Sequence, residues 1–351
     1  MKALFVGVLL FTALLPGAFY IIPKPSTPSL PYSVVMESNG QFVGATTGDG
    51  SQFVGYLNGT VAKATPDGRI LTSTALPDRN SAAHLLFLNG SLYVGSEKLP
   101  GARDAEPYHV YRLDASTLQV LASMRFPKGS ADGLVMYLNG TLWAASGHCN
   151  LYSLDPKTLS IRSMIPSVAE DELLFDGSNY WGECINMVYV FQGNHTIATG
   201  QLSFPDRPRG FFMQDGTIYA TRTSDNSLFR MQVYGSQVAF TKVASLGGTP
   251  TKDTFDGWAY LTDDNHPVRA SIAHYGPGFS LESLTLLPGY ALPTDASQHS
   301  MFSFQGKLWF VTDSTMGFLW TSRDPWTFTN SYGDRCETFL NGTTVCRGGG
   351  P

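Results

Sequence analysis

The sequence predicts an all-β protein, a seven-bladed β-propeller of four-stranded antiparallel blades, and two repeated signals carry that prediction. The first is a hairpin: "HLLFLNGSLYVG" turns at Asn89-Gly90, and "GLVMYLNGTLWAAS" turns at Asn139-Gly140. Asn-Gly between apolar runs marks a type I′ turn, which needs φ > 0 at both central residues. The second is a strand–turn–strand further on, as in "VYRLDASTLQVL" (Asp114) and "LYSLDPKTLSIR" (Asp155). Together they make four strands per unit. A four-stranded unit recurring about every 43 residues is the signature of a propeller.

In chain order the first turns fall at Gly50, Gly90, Gly140, Gly177 and Gly216, near Asp264, and at Gly306. The second turns fall at Asp67, Asp114, Asp155, Gly193, Gly235 and Asp324. We name the strands of each unit A to D. One such sheet cannot bury both faces, so the units must stack around an axis. No long stretch has helical periodicity, and 36 Gly with 21 Pro punctuate the strands. A pair of β-sandwiches also suits the length, but two turn types in fixed order speak against it.

The predicted organisation is residues 1–22 as signal peptide or N-terminal anchor, 23–31 as Pro-rich spacer, 32–332 as propeller and 333–351 as a C-terminal hairpin closed by a Cys336–Cys346 disulfide. Ala3 to Ile22 carries no charge. It reads as a secretory signal with a small-residue cut after Ala18, and its length also suffices to span a bilayer uncut. Pro16-Gly17 interrupts the run and favours cleavage. Both readings place the propeller outside the cytoplasm, secreted or at the extracellular surface. The segment "SVVMES" (33–38) either closes the ring against the last blade or adds a strand to a neighbouring copy.

Five N-x-[ST] sequons at Asn58, Asn89, Asn139, Asn194 and Asn341 are candidate glycan acceptors in an exported chain. Charged residues make up only 15% of the chain, and the net charge of −5 gives no case for nucleic acid. Membrane contact would come only through an uncleaved N-terminal segment. Four cysteines in an oxidising compartment favour disulfides. Cys149 and Cys184 both follow strand B in consecutive units, so their B–C loops should lie side by side. Cys336 and Cys346 flank "ETFLNGTTV", a hairpin turning at Leu340-Asn341-Gly342. Zinc is set aside because CxxC and HxxxH spacings are absent.

The D–A and B–C loops share one end of a propeller, the channel mouth. The D–A loops deliver His84, Asp132, Asp171, Arg209, Asp256 and His299 just before strand A. Six polar groups from six units could ring a ligand; they also suit a solvated rim with no ligand at all. No loop has a cation-binding spacing, and neither metal nor cofactor is expected. GxSxG, HExxH, GxGxxG and P-loop patterns are missing. "SRDPWTF" (322–328) approaches the sialidase Asp-box but lacks its glycine, and reads as a C–D turn.

The recurring pattern L-x-x-N-G-x-L-Y/W followed by L-Y-x-L-D-x-x-T-L resembles blades of the YVTN and quinoprotein-dehydrogenase-like propeller superfamily. Residues 132–161 are also similar to a blade of the glutaminyl cyclase propellers. The likeness covers about 290 residues as architecture and is specific only at turns. It implies the fold; no cofactor or cyclase motif maps onto these residues. The expected function is a recognition module that binds an extracellular glycan, peptide or protein partner through its mouth. The alternative is an extracellular propeller enzyme, a hydrolase, lyase or cyclase, with its site at the channel mouth. No catalytic residue is assigned.

Overall fold

The fold is taken from a computed structural model. It describes residues 33–37, 42–97, 108–126, 133–146, 149–170, 172–202, 208–214, 216–222, 227–245, 249–255, 258–262, 269–274, 290–291, 298–304, 307–312, 315–321, 326–329, 335–338 and 344–347. Among these, all regular structure is β.

The chain enters through β1 (Ser33–Glu37). Blade 1 is β2 (Phe42–Gly48), β3 (Ser51–Tyr56), β4 (Thr60–Ala64) and β5 (Ile70–Ala75). Blade 2 is β6 (Ser81–Leu88), β7 (Ser91–Glu97), β8 (His109–Asp114) and β9 (Val120–Arg125). Blade 3 is β10 (Leu134–Leu138), β11 (Thr141–Ala145), β12 (Leu151–Leu154) and β13 (Ile161–Ile165). Blade 4 is β14 (Glu172–Phe175), β15 (Tyr180–Cys184), β16 (Met187–Gln192) and β17 (His195–Gln201). Blade 5 is β18 (Pro208–Gln214), β19 (Thr217–Arg222), β20 (Ser227–Tyr234) and β21 (Gln237–Ser245). Blade 6 is β22 (Thr249–Phe255), β23 (Trp258–Thr262), β24 (Arg269–His274) and β25 (Tyr290–Ala291). Blade 7 has β26 (Gln298–Phe304), β27 (Lys307–Thr312) and β28 (Thr315–Thr321). β29 (Trp326–Thr329), β30 (Arg335–Thr338) and β31 (Thr344–Arg347) follow.

Within each of blades 1 to 6 the strands pair antiparallel in chain order. Blade 7 takes its outer strand from the other end of the chain: β1 pairs with β28, Ser33 opposite Phe318 and Glu37 opposite Thr315. Ser33–Glu37 therefore closes the ring, and the edge of β28 pairs with this chain's own strand rather than with a neighbouring copy. A strands meet from blade 1 to blade 3 and from blade 4 to blade 7, and β26 meets β2. This is the seven-bladed propeller that the repeats predict.

Two boundaries differ from the sequence reading. β1 already occupies the outer edge of β28, so β29 is not the fourth strand of that sheet. Instead β29 pairs with β30, and β29 to β31 form a separate three-stranded sheet. The propeller unit accordingly ends at Thr321 rather than at 332. In blade 6, Phe255 pairs with Trp258, so the A–B connection is at 256–257 and Asp264 falls between strands B and C.

The turns explain the repeats. Asp49-Gly50, Asn89-Gly90 and Asn139-Gly140 have both residues at positive φ, between 47° and 74°, as a type I′ turn requires. In each L-D-x-x-T-L turn one aspartate organises the loop. Asp114 Oδ1 accepts the backbone N–H of Ser116 and of Thr117, each at 2.9 Å. Asp155 Oδ1 does the same for Lys157 and Thr158, and its Oδ2 pairs with Arg162 at 2.6 Å. The Ser116 hydroxyl, which also donates to Oδ1, and then these N–H groups hold the Asp114 carboxyl down at about 2; the Thr158 N–H and then Arg162 hold the Asp155 carboxyl well below the usual range. The closing Leu118 and Leu159 sit at φ 59° and 58°, a strained region for leucine. Both are buried, and that burial offsets the strain.

Alternate residues of each B strand face opposite neighbours. Leu92 and Val94 join the core between blades 1 and 2, with Phe53, Val61 and Tyr111. Tyr93 joins the core between blades 2 and 3, with Val135, Leu142 and Tyr152. The blades approach most closely toward the mouth. A Cβ added at Gly95 would lie 1.5 Å from the Gly133 carbonyl oxygen, and one at Gly55 would lie 1.9 Å from that of Ala82. Only glycine allows such contacts. Blade 3 has Ala145 in the same place along its B strand.

Candidate functional site

The mouth is where strands A and C begin and strands B and D end. In blade 2 it is organised by Asp78, in the connection from β5 to β6. Asp78 Oδ2 accepts Ser96 Oγ–H at 3.0 Å and Asn80 Nδ2–H at 3.3 Å, and lies 3.1 Å from His109 Nδ1. Ser96 Oγ in turn accepts the His109 backbone N–H at 2.9 Å. The Asp78 side chain is only 5% exposed and that of His109 19%. An acceptor at Nδ1 fixes a proton there and presents Nε2 as the ring's second nitrogen. The His109 ring stacks on Tyr111, whose phenol is pushed well up by burial and then by the Asp78 charge.

Blades 3 and 4 make a second cluster. Cys149, in the B–C connection of blade 3, is bonded to Cys184 at the end of β15, across 35 residues and a Cα separation of 5.4 Å. This is the pairing expected from side-by-side B–C loops. The Cys149 carbonyl accepts the N–H groups of Val168 and Ala169, so the staple also holds the D–A crossing. Glu170, Glu172 and Glu183 are buried close by. Glu170 Oε2 lies 4.0 Å from Cys149 Sγ, and the Glu170 N–H donates to the Glu183 carbonyl at 2.6 Å. Glu172 and Glu183 are direct cross-strand partners, and Glu172 Oε2 accepts the Phe211 N–H of blade 5 at 3.4 Å. Among the described residues no three His, Cys, Asp or Glu side chains converge to hold a metal ion.

Of the predicted ring, His84 is half-buried in β6 opposite Gly95. Arg209 and His299 lie near the starts of β18 and β26. Asp132 and Asp171 fall outside the described residues, immediately before the residues that open strand A of blades 3 and 4. Asp256 also lies outside the described residues; before it β22 ends at Phe255, which pairs with Trp258 of β23. Of the sequons, Asn89, Asn139 and Asn194 lie in A–B or C–D turns and Asn58 in a B–C turn, all exposed; Asn341 is outside the described residues. Asp78, Ser96, His109 and the three glutamates were not singled out from sequence.

No protein-family model matches the chain, and no curated protein sequence does. Solved structures match its architecture. BamB from Moraxella catarrhalis is 11% identical with a TM-score of 0.56, over 80% of this chain and 85% of that one. The Cps50 (Swd1) β-propeller domain of Myceliophteria thermophila is 10% identical with a TM-score of 0.62, over 83% of this chain and 100% of that one. At such identity the likeness concerns the fold: the chain is a β-propeller.

Proposed function

We propose that this chain is a secreted or cell-surface recognition propeller that binds a glycan, a peptide or a neighbouring subunit through its mouth. The observation that carries the reading is the difference between the two ends. At one end, connections such as Asn89-Gly90 and Asn139-Gly140 are two-residue turns with their polar groups in solvent. The mouth instead buries Glu170, Glu172, Glu183 and the side chain of Asp78, and staples two of its loops with a disulfide. Buried charges are costly for a fold to hold, and rigid loops lower the entropic cost of binding. Propellers in general serve as interaction scaffolds on which loops set the partner. Export is supported by the uncharged N-terminal run, the sequons and the Cys149–Cys184 bond. Membership of the YVTN and quinoprotein-dehydrogenase-like superfamily belongs to the same proposal, on the strength of the turn motifs.

One arrangement favours the enzymatic alternative. Asp78 orients His109 as a carboxylate orients the base of a hydrolase. A glycan and peptide array, run beside a hydrolase panel, separates the readings. We expect array binding that the double variant His84→Ala/Arg209→Ala loses while its thermal midpoint stays within a few degrees. Turnover abolished by His109→Ala, without array binding, would replace recognition by catalysis.

A further inference from the structure

The C-terminal sheet holds the two cysteines that the Cys149–Cys184 bond leaves over. Register places Cys336 of β30 directly opposite Cys346 of β31, with Phe328 of β29 as the third member of the row. Cross-strand Cα atoms in an antiparallel pair are about 4.5 or 5.5 Å apart, depending on the kind of pair, and both distances fall inside the range a disulfide spans. The same register sorts the sheet. Trp326, Phe328, Cys336, Thr338, Thr344 and Cys346 share one face, and Thr327, Thr329, Arg335, Glu337, Val345 and Arg347 share the other. Three strands of four residues each are too little sheet to be stable alone. A covalent closure is what so small a sheet lacks.

We propose that Cys336 and Cys346 form a second disulfide, and that it locks β29, β30 and β31 into one sheet. The bond forms by exchange with the disulfide of a thiol–disulfide oxidoreductase. The Cys336 thiolate attacks one carrier sulfur and the other leaves as a thiolate; the Cys346 thiolate then attacks Cys336 Sγ and expels the carrier. Two electrons and the two protons of the substrate thiols pass to the carrier, which ends as the dithiol.

Trypsin provides the test, because cleavage after Arg335 and Arg347 releases both cysteines in one peptide, "CETFLNGTTVCR". From full-length protein alkylated before reduction, that peptide should be two hydrogens lighter than its dithiol form and carry no alkyl group. Two alkyl groups would overturn the assignment, as would Cys336 joined to any other cysteine. Cys336→Ser/Cys346→Ser should leave the thermal midpoint of the propeller unchanged while proteolysis between 326 and 347 speeds at least tenfold. An unchanged proteolysis rate would refute the locking role. The array result above does not depend on this bond, so each proposal can fail alone.

Discussion

Replacing Gly95 by alanine tests how closely blades 2 and 3 meet. The new methyl would stand 1.5 Å from the Gly133 carbonyl oxygen and 2.7 Å from its carbon. Real contacts of this kind do not fall below 3.0 Å, so the two backbone segments must part by about 1.5 Å at a backbone atom that no rotamer change can move. Overpacking costs about 1–3 kcal/mol in ordinary cores, and a backbone obstacle puts this case at about 3 kcal/mol or more. For a domain of this size that is a fall of about 6 °C in the thermal midpoint. The control is Gly90→Ala. Gly90 has φ 73° and nothing within 4 Å of the added methyl, so only left-handed strain of about 1–2 kcal/mol applies. Urea unfolding of both variants, followed by tryptophan fluorescence, gives the comparison. If Gly95→Ala loses no more than Gly90→Ala, the blades do not meet as described.

Three further outcomes follow from the same structure. Cys149→Ser/Cys184→Ser should lose about 4 kcal/mol in the chain-entropy account of a 35-residue closure, read by denaturant midpoint with and without reductant. Asp114→Asn should flatten acid unfolding. The Asp114 carboxyl lies at about 2 in the fold against 3.8 unfolded, so its contribution is complete above the higher value and lost as pH falls through the lower one. Thermal midpoints between pH 6 and pH 2 will show the parent falling more steeply than the variant. Asp78→Ala should loosen the mouth of blade 2 by about 3 kcal/mol, because it leaves Ser96 and His109 facing an empty buried site; hydrogen exchange of the His109 amide reports it.

What could be read from sequence was local chemistry. Asn89-Gly90 and Asn139-Gly140 admit almost one backbone geometry, and Asp114 and Asp155 cap their own turns, so these hairpins were visible without the fold. Blade 6 was misplaced because Asp256-Gly257 and Asp263-Asp264 both look like turns, and only pairing of Phe255 with Trp258 decides between them. "WTFT" read as the outer strand of blade 7 because it has the right composition; β1, nearly three hundred residues earlier, competes for the same edge and takes it. The Cys149–Cys184 pair was legible once blades were counted. The Asp78, Ser96 and His109 cluster was not. Its members come from three elements, and what joins them is the D–A crossing, a tertiary event with no sequence period.

The central claim is that recognition belongs to the mouth. Asn58 and Asn194 are both exposed sequon positions, the first in a B–C turn at the mouth and the second in a C–D turn at the opposite end. Asn58→Cys and Asn194→Cys, each coupled to a bulky maleimide polymer, therefore block one end at a time. On the glycan and peptide array the account predicts that the polymer at position 58 abolishes binding and the polymer at 194 leaves it intact. Binding that survives the block at 58 and is lost with the block at 194 would contradict it.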